Sequence, residues 1–185
     1  MQTMSDEALL AAIRRGDGAA EREFFDRFYP KVLAWCRWLG KGRVDVQDAV
    51  ADVFEVAWRR IGEFRGDAAI ATWLYAITRN VVRGNARKAW FGRLVGLDPQ
   101  SRDGAPSPDE ALVLKENAKR VEEVLVTLSE AKREMVMLVD IEGFTVEEAA
   151  RAAGVRRSTA GTRLFYGRRE FFERYAAKFG AEDGA

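Results

Sequence analysis

Three of the four prolines in this chain lie close together in sequence, at Pro99, Pro106 and Pro108. Glycine, serine and aspartate fill much of the surrounding stretch. Because proline breaks helices and the other residues favour turns, the segment over 97–109 is predicted to be a flexible linker. The chain is therefore expected to fold as an N-terminal module over 1–96 and a C-terminal module over 110–179.

Both modules are predicted to be helical. Apolar residues recur at three- and four-residue spacing, and no sustained alternation of apolar and polar residues indicates a strand. In the first module, the first helix is predicted to be capped by Ser5 and closed by Gly16, and a second follows that is rich in Phe24 and Phe28. A third is predicted from about 45 to 61, and a fourth in the second half of 64–88. In the second, they are predicted over about 110–127, 130–141, 145–153 and 157–175. The predicted fold class is all-α, with a disordered tail over 180–185.

Composition argues against several classes of function. The chain has no histidine, which removes the commonest general base and metal ligand. Its one cysteine, Cys36, cannot form an internal disulfide or a cysteine-based metal site, and its neighbours Trp35 and Trp38 favour a buried structural thiol. Neither a secretion signal nor a long apolar run is found, so a cytoplasmic protein without membrane insertion is expected. These observations argue against most enzyme classes, although chemistry by carboxylates alone stays open, and neither a metal nor a cofactor is predicted.

Charge is unevenly distributed, although the formal net charge is only +1. From residue 65 to 93 there are six basic residues and one acidic, and from 156 to 174 there are six arginines and two glutamates. Between them, residues 98–114 carry four acids and one arginine. Two basic patches separated by an acidic spacer predict two contacts with a polyanion.

The stretch "FTVEEAARAAGVRRSTAGTRLFYGRREFFER" predicts a helix-turn-helix. Thr145 followed by Glu148 forms a capping-box pattern, and Gly154 can end the first helix in a tight turn. Ser158 or Thr159 is placed to cap the second helix. An αα-hairpin with a solvated basic face is the alternative interpretation.

The second helix of this motif has one apolar stripe and a polar, arginine-rich outer face, which fits the major groove of DNA. Gly161 and Gly167 lie inside it, each at a cost of about 1 kcal/mol relative to alanine. Phe165 and Phe172 form a second apolar strip, which is expected to pack against the module's own helices or a partner. The first apolar stripe, opposite the polar face of the helix, consists of Ala160, Leu164, Gly167 and Phe171.

The third helix, within "VDVQDAVADVFEVAWRRI", has a predicted core side and an acidic side. Asp48, Asp52 and Glu55 share the acidic side, with Asp45 beside them and Val56 expected to be exposed among them. A solvated acidic face is the default explanation. An apolar residue within an acidic set also suits docking of a basic partner helix.

The stretch "FRGDAAIATWLYAITRNVVRGNARK" combines a Gly-Asp turn, aromatic residues and basic residues. Trp73 and Asn80 are expected on one flank of its helix, and Arg79 and Arg83 on the far side with Thr72 and Ala76. A stacking ring, an amide and a basic track are the ingredients of single-strand binding. Packing of Trp73 in the core is the alternative. The predicted core stripe is Ile70, Leu74, Ile77 and Val81.

These motifs, in this order, resemble the extracytoplasmic-function group of bacterial RNA polymerase sigma factors. "GDGAAEREFFDRFYPKV" is similar to that family's first conserved region, and "DVQDAVADVFEVAWRRI" to its polymerase-docking helix. The stretch beginning at Phe64 is similar to the segment that melts and reads the −10 element, and the helix-turn-helix to the −35 reader. The resemblance covers nearly the whole chain.

The resemblance implies three groups of site residues and several partners. The partners are the clamp helices of the largest subunit of core RNA polymerase, promoter DNA as duplex and single strand, and an anti-sigma factor. The resemblance assigns docking on the polymerase to Asp45, Asp48, Asp52, Val53 and Val56. It assigns contacts with the −10 strand to Arg65, Gly66, Asp67, Ala68, Ile70, Trp73, Arg79, Asn80, Arg83, Arg87 and Lys88. It assigns contacts with the −35 duplex to Arg156, Arg157, Ser158, Thr159, Thr162, Arg163, Tyr166 and Arg168.

The sequence departs from the family pattern at a few positions. Ile70 and Ala71 stand where aromatic residues are frequent in the family, Glu21 where an aromatic is common, and Gly161 where a basic residue is frequent. Two other functions stay open at this point: an ordinary helix-turn-helix regulator with a ligand-binding or dimerisation domain, and a polymerase-binding adaptor without promoter specificity.

Overall fold

The computed structural model describes residues 4–94 and 112–180, and the chain divides into two compact units, Met1–Ala105 and Pro106–Ala185. The division falls in the segment predicted as a linker, which itself lies outside the described residues, as does the predicted tail apart from Gly180. The described regular elements are all helical, which confirms the all-α prediction for that part of the chain. They are α1 (Asp6–Arg14), α2 (Gly18–Gly40), α3 (Val46–Arg60), a 3₁₀ turn (Ile61–Glu63), α4 (Ile70–Leu94), α5 (Leu112–Leu125), α6 (Glu130–Val136), a π-helical turn (Met137–Ile141), α7 (Val146–Ala153) and α8 (Arg157–Phe179).

The first three helices begin at residues that cap them. The side chains of Ser5, Asp17 and Asp45 each accept a hydrogen bond from a backbone amide in the first turn. The sequence prediction for Ser5 is therefore confirmed. Helix α1 ends at Arg14, and Gly16 follows at a φ of 79°, where glycine is favoured.

Helices α2, α3 and α4 pack against one another around the core of the N-terminal unit. Helix α4 contacts both of the others, so its buried side is wider than one stripe. Val82 is buried and Val81 only half-buried, and Thr72, expected on the exposed side, is 2% exposed. The predicted stripe is wrong at Val81, and contact with two helices explains why the buried side also includes Thr72 and Val82. The largest fully buried side chains here include Phe24, Trp35, Leu74 and Tyr75.

The C-terminal unit contains the predicted helix-turn-helix. Thr145 and Glu148 form the capping box of α7, and Gly154 ends that helix in the left-handed region at a φ of 65°. The prediction that Ser158 or Thr159 caps the next helix is wrong. Extended Arg156 is the N-cap residue and makes no side-chain capping bond, so α8 begins at Arg157 and both hydroxyl residues lie in its first turn.

Helix α8 approaches α6 closely at one glycine. A Cβ on Gly167 would lie 2.9 Å from Cγ2 of Val136 and 3.1 Å from the carbonyl oxygen of Lys132. Lys132 Nζ also donates to Glu170 of α8 at 2.5 Å. Gly167 therefore permits the two helices to pack at this distance, whereas a Cβ on Gly161 would have no neighbour within 4 Å.

Within residues 4–94 and 112–180, no helix is both long enough and apolar enough to span a bilayer. The same residues hold no group of three or more histidine, cysteine, aspartate or glutamate side chains placed to bind a metal ion.

Candidate functional site

The carboxylates of α3 form an acidic surface, consisting of Asp45, Asp48 and Asp52. Asp48 is exposed, and the other two are half-buried. Asp45 caps the helix, so part of its hydrogen-bonding capacity is used by the Asp48 amide at 3.0 Å. Asp52 accepts a hydrogen bond from Nδ2 of Asn85 on α4 at 2.8 Å. Asp48 is thus the member of the surface that is most open to a partner.

Two valines assigned to this surface lie elsewhere. Val53 is fully buried, so it contributes to the core and cannot contact a partner on the surface of α3. Val56 is half-buried rather than exposed. The assignment of Val53 is wrong because that residue belongs to the inner stripe of α3, together with Val50 and Ala57.

The turn between Phe64 and Ile70 protrudes next to the start of α4. Arg65, Gly66 and Asp67 are exposed, Ala68 is half-buried, and Gly66 has a φ of 81°. Ile70 is fully buried, so its assignment as a residue that contacts DNA is wrong. It is the first residue of the buried side of α4 and therefore anchors the turn.

Helix α1 holds both ends of this turn, although the sequence had indicated only a capped core helix there. Nη2 of Arg14 donates to the carbonyl oxygen of Phe64. A carboxylate oxygen of Asp6 accepts from the amide of Ile70 at 3.4 Å. These contacts join residues that are 50 and 64 positions apart in the chain, so a local sequence motif could not predict them.

Trp73 packs in the N-terminal unit and also remains partly accessible. Its ring centroid lies 4.9 Å from that of Phe64, and the residue is half-buried. Trp73 therefore packs against Phe64 as the core interpretation expects, and its partial exposure leaves stacking on a strand a prediction. Further along α4 lies a basic track of polar and charged residues, of which Arg79 is half-buried and the others are exposed: Arg79, Asn80, Arg83, Arg87 and Lys88.

The outer face of α8 is basic and open along its first three turns. Half-buried Thr159 and Arg163 flank it. The guanidinium of Arg169 lies 5.1 Å from the centre of the Tyr166 ring, which fixes the edge of this face through a cation–π contact. The exposed members of the predicted −35 set are Arg156, Arg157, Ser158, Thr162, Tyr166 and Arg168.

Arg168 is held by an intramolecular partner. Its Nε lies 3.0 Å and 3.2 Å from the two carboxylate oxygens of Asp140, and its Nη2 lies 2.5 Å from one of them. This bidentate contact raises the pKa of the Arg168 guanidinium. Asp140 belongs to the π-helical turn, so the ion pair joins that turn to α8. The Asp140 carboxylate also competes with any phosphate for the hydrogen-bond donors of Arg168.

The strip formed by Phe165 and Phe172 remains exposed. The two residues are 63% and 66% exposed, so the described helices of the module do not cover them, and contact with a partner stays a prediction. Phe165 lines a shallow groove with Val146, Gly161 and Leu164.

Comparisons with known proteins identify both modules. Residues 24–91 match the model of Sigma-70 region 2, and residues 118–171 match that of Sigma-70, region 4. The ECF RNA polymerase sigma factor SigM of Mycobacterium tuberculosis is 31% identical over 159 residues, which cover 86% of this chain and 79% of SigM.

Two solved structures share the fold. One is CnrH in complex with the cytosolic domain of CnrY, with a TM-score of 0.66 and 23% identity, covering 93% of this chain and 97% of that one. The other is the sigma factor RpoE from Bartonella quintana in complex with the anti-sigma factor NepR. It has a TM-score of 0.58 and 26% identity, covering 82% of this chain and 96% of that one.

Proposed function

Because the chain belongs to the extracytoplasmic-function family of RNA polymerase sigma factors, we propose that it directs promoter-specific initiation through the surfaces described above. The C-terminal unit contacts the −35 duplex, and the N-terminal unit captures the −10 non-template strand and docks on core polymerase. The observation that carries the proposal is that each of the two matched regions presents an exposed basic surface on a well-packed helical unit.

Recognition of the −35 element is assigned to the first turns of α8. The second helix of a helix-turn-helix enters the major groove with its N-terminal residues against the base edges. Arg157, Ser158 and Thr162 are exposed there, and Arg163 lies at the edge of the same surface. Arg168 is a weaker candidate than its sequence position indicated, because Asp140 already occupies its guanidinium.

Capture of the −10 strand is assigned to the turn at residues 65–69, to Trp73 and to the basic track on α4. Extruding a base from a duplex costs about a few kcal/mol, so a preformed site with fixed cations favours the open strand. Trp73 offers a partly exposed ring for stacking, and Asn80 an amide for a base edge. Ile70 is fully buried, so it supports the site through packing and does not contact the strand.

Docking on the clamp helices of the polymerase's largest subunit is assigned to the acidic surface of α3, with Asp48 as its most accessible carboxylate. Complementary charge steers such an encounter and fixes its register. We also propose that an anti-sigma factor restrains the protein, because the solved relative RpoE is bound to one. The protein then acts in the cytoplasm with the polymerase and performs no catalysis of its own.

The decisive experiment is transcription in vitro by core polymerase with and without the protein, followed by mapping of the transcript start sites. The proposal expects defined starts that share upstream −35 and −10 sequences and depend on the protein. A stable dimer that binds a palindromic duplex without polymerase would instead identify a regulator. Polymerase binding without any promoter-specific start would identify an adaptor.

Asp48→Lys tests the docking surface. We expect its affinity for core polymerase to fall by about tenfold or more, since it places a cation against a basic partner. Asp26→Lys is the matched control, because Asp26 is an exposed acid on α2 of the same unit. Equal affinity of both variants would remove Asp48 from the docking surface.

Arg163→Ala tests the duplex surface. If Arg163 reads a base edge, its loss should weaken −35 duplex binding by about 1–3 kcal/mol and relax the preference at one base position. Lys119→Ala, which removes one exposed positive charge from α5, controls for nonspecific electrostatics. The same modest loss in both variants, without a change in base preference, would reduce Arg163 to a general electrostatic contributor.

A further inference from the structure

We propose that helix α1 is a clamp that fixes the shape of the strand-binding turn, with Asp6 and Arg14 as its two positioning residues. The proposal rests on the function assigned above to residues 65–69. Neither residue contacts DNA in this arrangement. Each acts through the backbone at one end of the turn.

The first anchor is at Phe64. The guanidinium of Arg14, in the last turn of α1, donates to the carbonyl oxygen of Phe64. The Phe64 ring is 8% exposed and packs against Trp73. The same contact therefore fixes the entry to the turn and the support beneath the partly exposed Trp73 ring.

The second anchor is at the start of α4, at the backbone amide of Ile70. Ala68 and Ala69 precede the helix, and alanine has no side-chain acceptor for the first amides. The first intrahelical bond runs from the Trp73 amide to the Ala69 carbonyl at 3.2 Å. Asp6 supplies the missing acceptor for the Ile70 amide, and its negative charge lies at the positive end of a 25-residue helix.

Asp6 is itself held in place from α2. Nη1 of Arg27 lies 3.3 Å from the other carboxylate oxygen of Asp6, and Nη2 of Arg27 donates to the Met4 carbonyl at 2.7 Å and to Glu23. The amide of Met4 donates back to Glu23 at 3.1 Å. The Arg27 side chain is only 20% exposed, so this network fixes the carboxylate relative to a helix of the core.

Between the two anchors lies an exposed turn that contains a glycine. Arg65, Gly66 and Asp67 are exposed, and glycine at position 66 loses more conformational freedom on ordering than any other residue. If the anchors are removed, more of that freedom must be lost when the strand binds, which weakens binding. Neither Asp6 nor Arg14 belongs to the acidic surface of α3, so docking on polymerase is expected to persist.

The test compares the double variant Asp6→Ala/Arg14→Ala with Glu7→Ala/Arg15→Ala. The control removes one acid and one base from the same stretch of chain, and both of its residues are exposed. Each variant is assembled with core polymerase, and the Kd is measured for a fluorescent single-stranded oligonucleotide carrying the −10 sequence mapped by transcription. Affinity for core polymerase and hydrogen exchange over residues 64–70 are measured in parallel.

We expect the double variant to bind the strand about tenfold more weakly, with core affinity unchanged and faster exchange at residues 64–70. The control should stay within about twofold of the original protein. Asp6→Asn keeps an acceptor for the Ile70 amide and should recover part of the affinity lost in Asp6→Ala. Unchanged strand binding and unchanged exchange in the double variant would overturn the clamp.

Equal losses of strand and core binding would also overturn it, because they would indicate a general structural role. If the double variant does not fold, Asp6→Asn and Arg14→Lys provide the same comparison of strand affinity with core affinity. If the unmodified holoenzyme captures no strand, the proposed function fails instead. The exchange measurement then still decides whether α1 orders the turn.

Discussion

The two glycines inside α8 should respond oppositely to the same substitution. Gly161 and Gly167 lie less than two turns apart, and replacing glycine by alanine in a helix interior gains up to about 1 kcal/mol in either place. A Cβ at 161 would have no neighbour within 4 Å. Gly161→Ala should therefore raise the free energy of unfolding by about 0.5–1 kcal/mol.

At Gly167 the packing against α6 reverses the sign. The added Cβ would lie 2.9 Å from Cγ2 of Val136, 3.1 Å from the carbonyl oxygen of Lys132 and 3.3 Å from its Cβ. Val136 is buried and branched at Cβ, and the carbonyl is backbone, so neither can move without shifting a helix. Overpacking of this kind costs about 1–3 kcal/mol. Gly167→Ala should therefore be less stable than Gly161→Ala by about 1–3 kcal/mol.

The unfolding of each unit can be followed separately, because all five tryptophans lie in the N-terminal unit. Tryptophan fluorescence reports that unit alone, whereas circular dichroism at the helix band reports both. We expect only the dichroism transition to move, in opposite directions for the two variants, during urea unfolding of the full chain. Equal stabilisation by both substitutions would refute the close packing of α6 and α8 at Gly167.

Two further predictions concern titratable groups. Burial, and to a smaller extent the charge of Asp52, raises the pKa of Cys36 from 9.0 to about 12, so a thiol reagent at pH 8 should label it only in urea. Above pH 9 the folded protein keeps a proton that the unfolded chain loses, so the free energy of unfolding should fall as pH rises from 9 towards 12. This fall should be smaller in Cys36→Ala. Rapid labelling of the folded protein at pH 8 would contradict the burial of the thiol. In the capping box, Thr145→Ala should cost about 1 kcal/mol in urea unfolding. The hydrogen bond from the Thr145 amide lowers the pKa of Glu148 below 4.5. The stabilisation by that carboxylate is therefore present above pH 4.5 and is lost as pH falls through the lowered pKa. If Glu148→Gln cost the same free energy of unfolding above pH 4.5 and below the lowered pKa, this reasoning would be contradicted.

The amino-acid sequence by itself determined the features that depend on neighbours along the chain. The spacing of apolar residues predicted each described helix, the Thr145–Glu148 pair predicted the capping box, and Gly154 predicted the left-handed turn. These predictions succeed because a cap or a tight turn is decided within a few residues, where intrinsic preferences are strongest. The order of the motifs was likewise sufficient to indicate the sigma-factor family.

The tertiary structure alone decided which parts of those helices are available to partners. Periodicity gives the direction of one apolar stripe but not how many neighbours cover the helix. It placed Ile70 in the core, whereas the resemblance placed Val53 and Ile70 among the contact residues, and both side chains are fully buried. It also could not reveal that Asp140 holds Arg168. Gly161 and Gly167 have the same intrinsic cost within a helix, and the position of α6 determines that only Gly167 of the two has no room for a Cβ.

The clamp that we propose on the strand-binding turn likewise depends on the tertiary structure. Ala68 and Ala69, directly before α4, offer no side-chain acceptor, and Asp6, 64 positions before Ile70 in the chain, accepts from the Ile70 amide. Such a contact depends on how α1 packs against the rest of the unit, because no local propensity links residues so far apart. The sequence thus determined which helices form and which family they belong to, and the packing decided which side chains face solvent, which are held by a partner and which hold the turn in place.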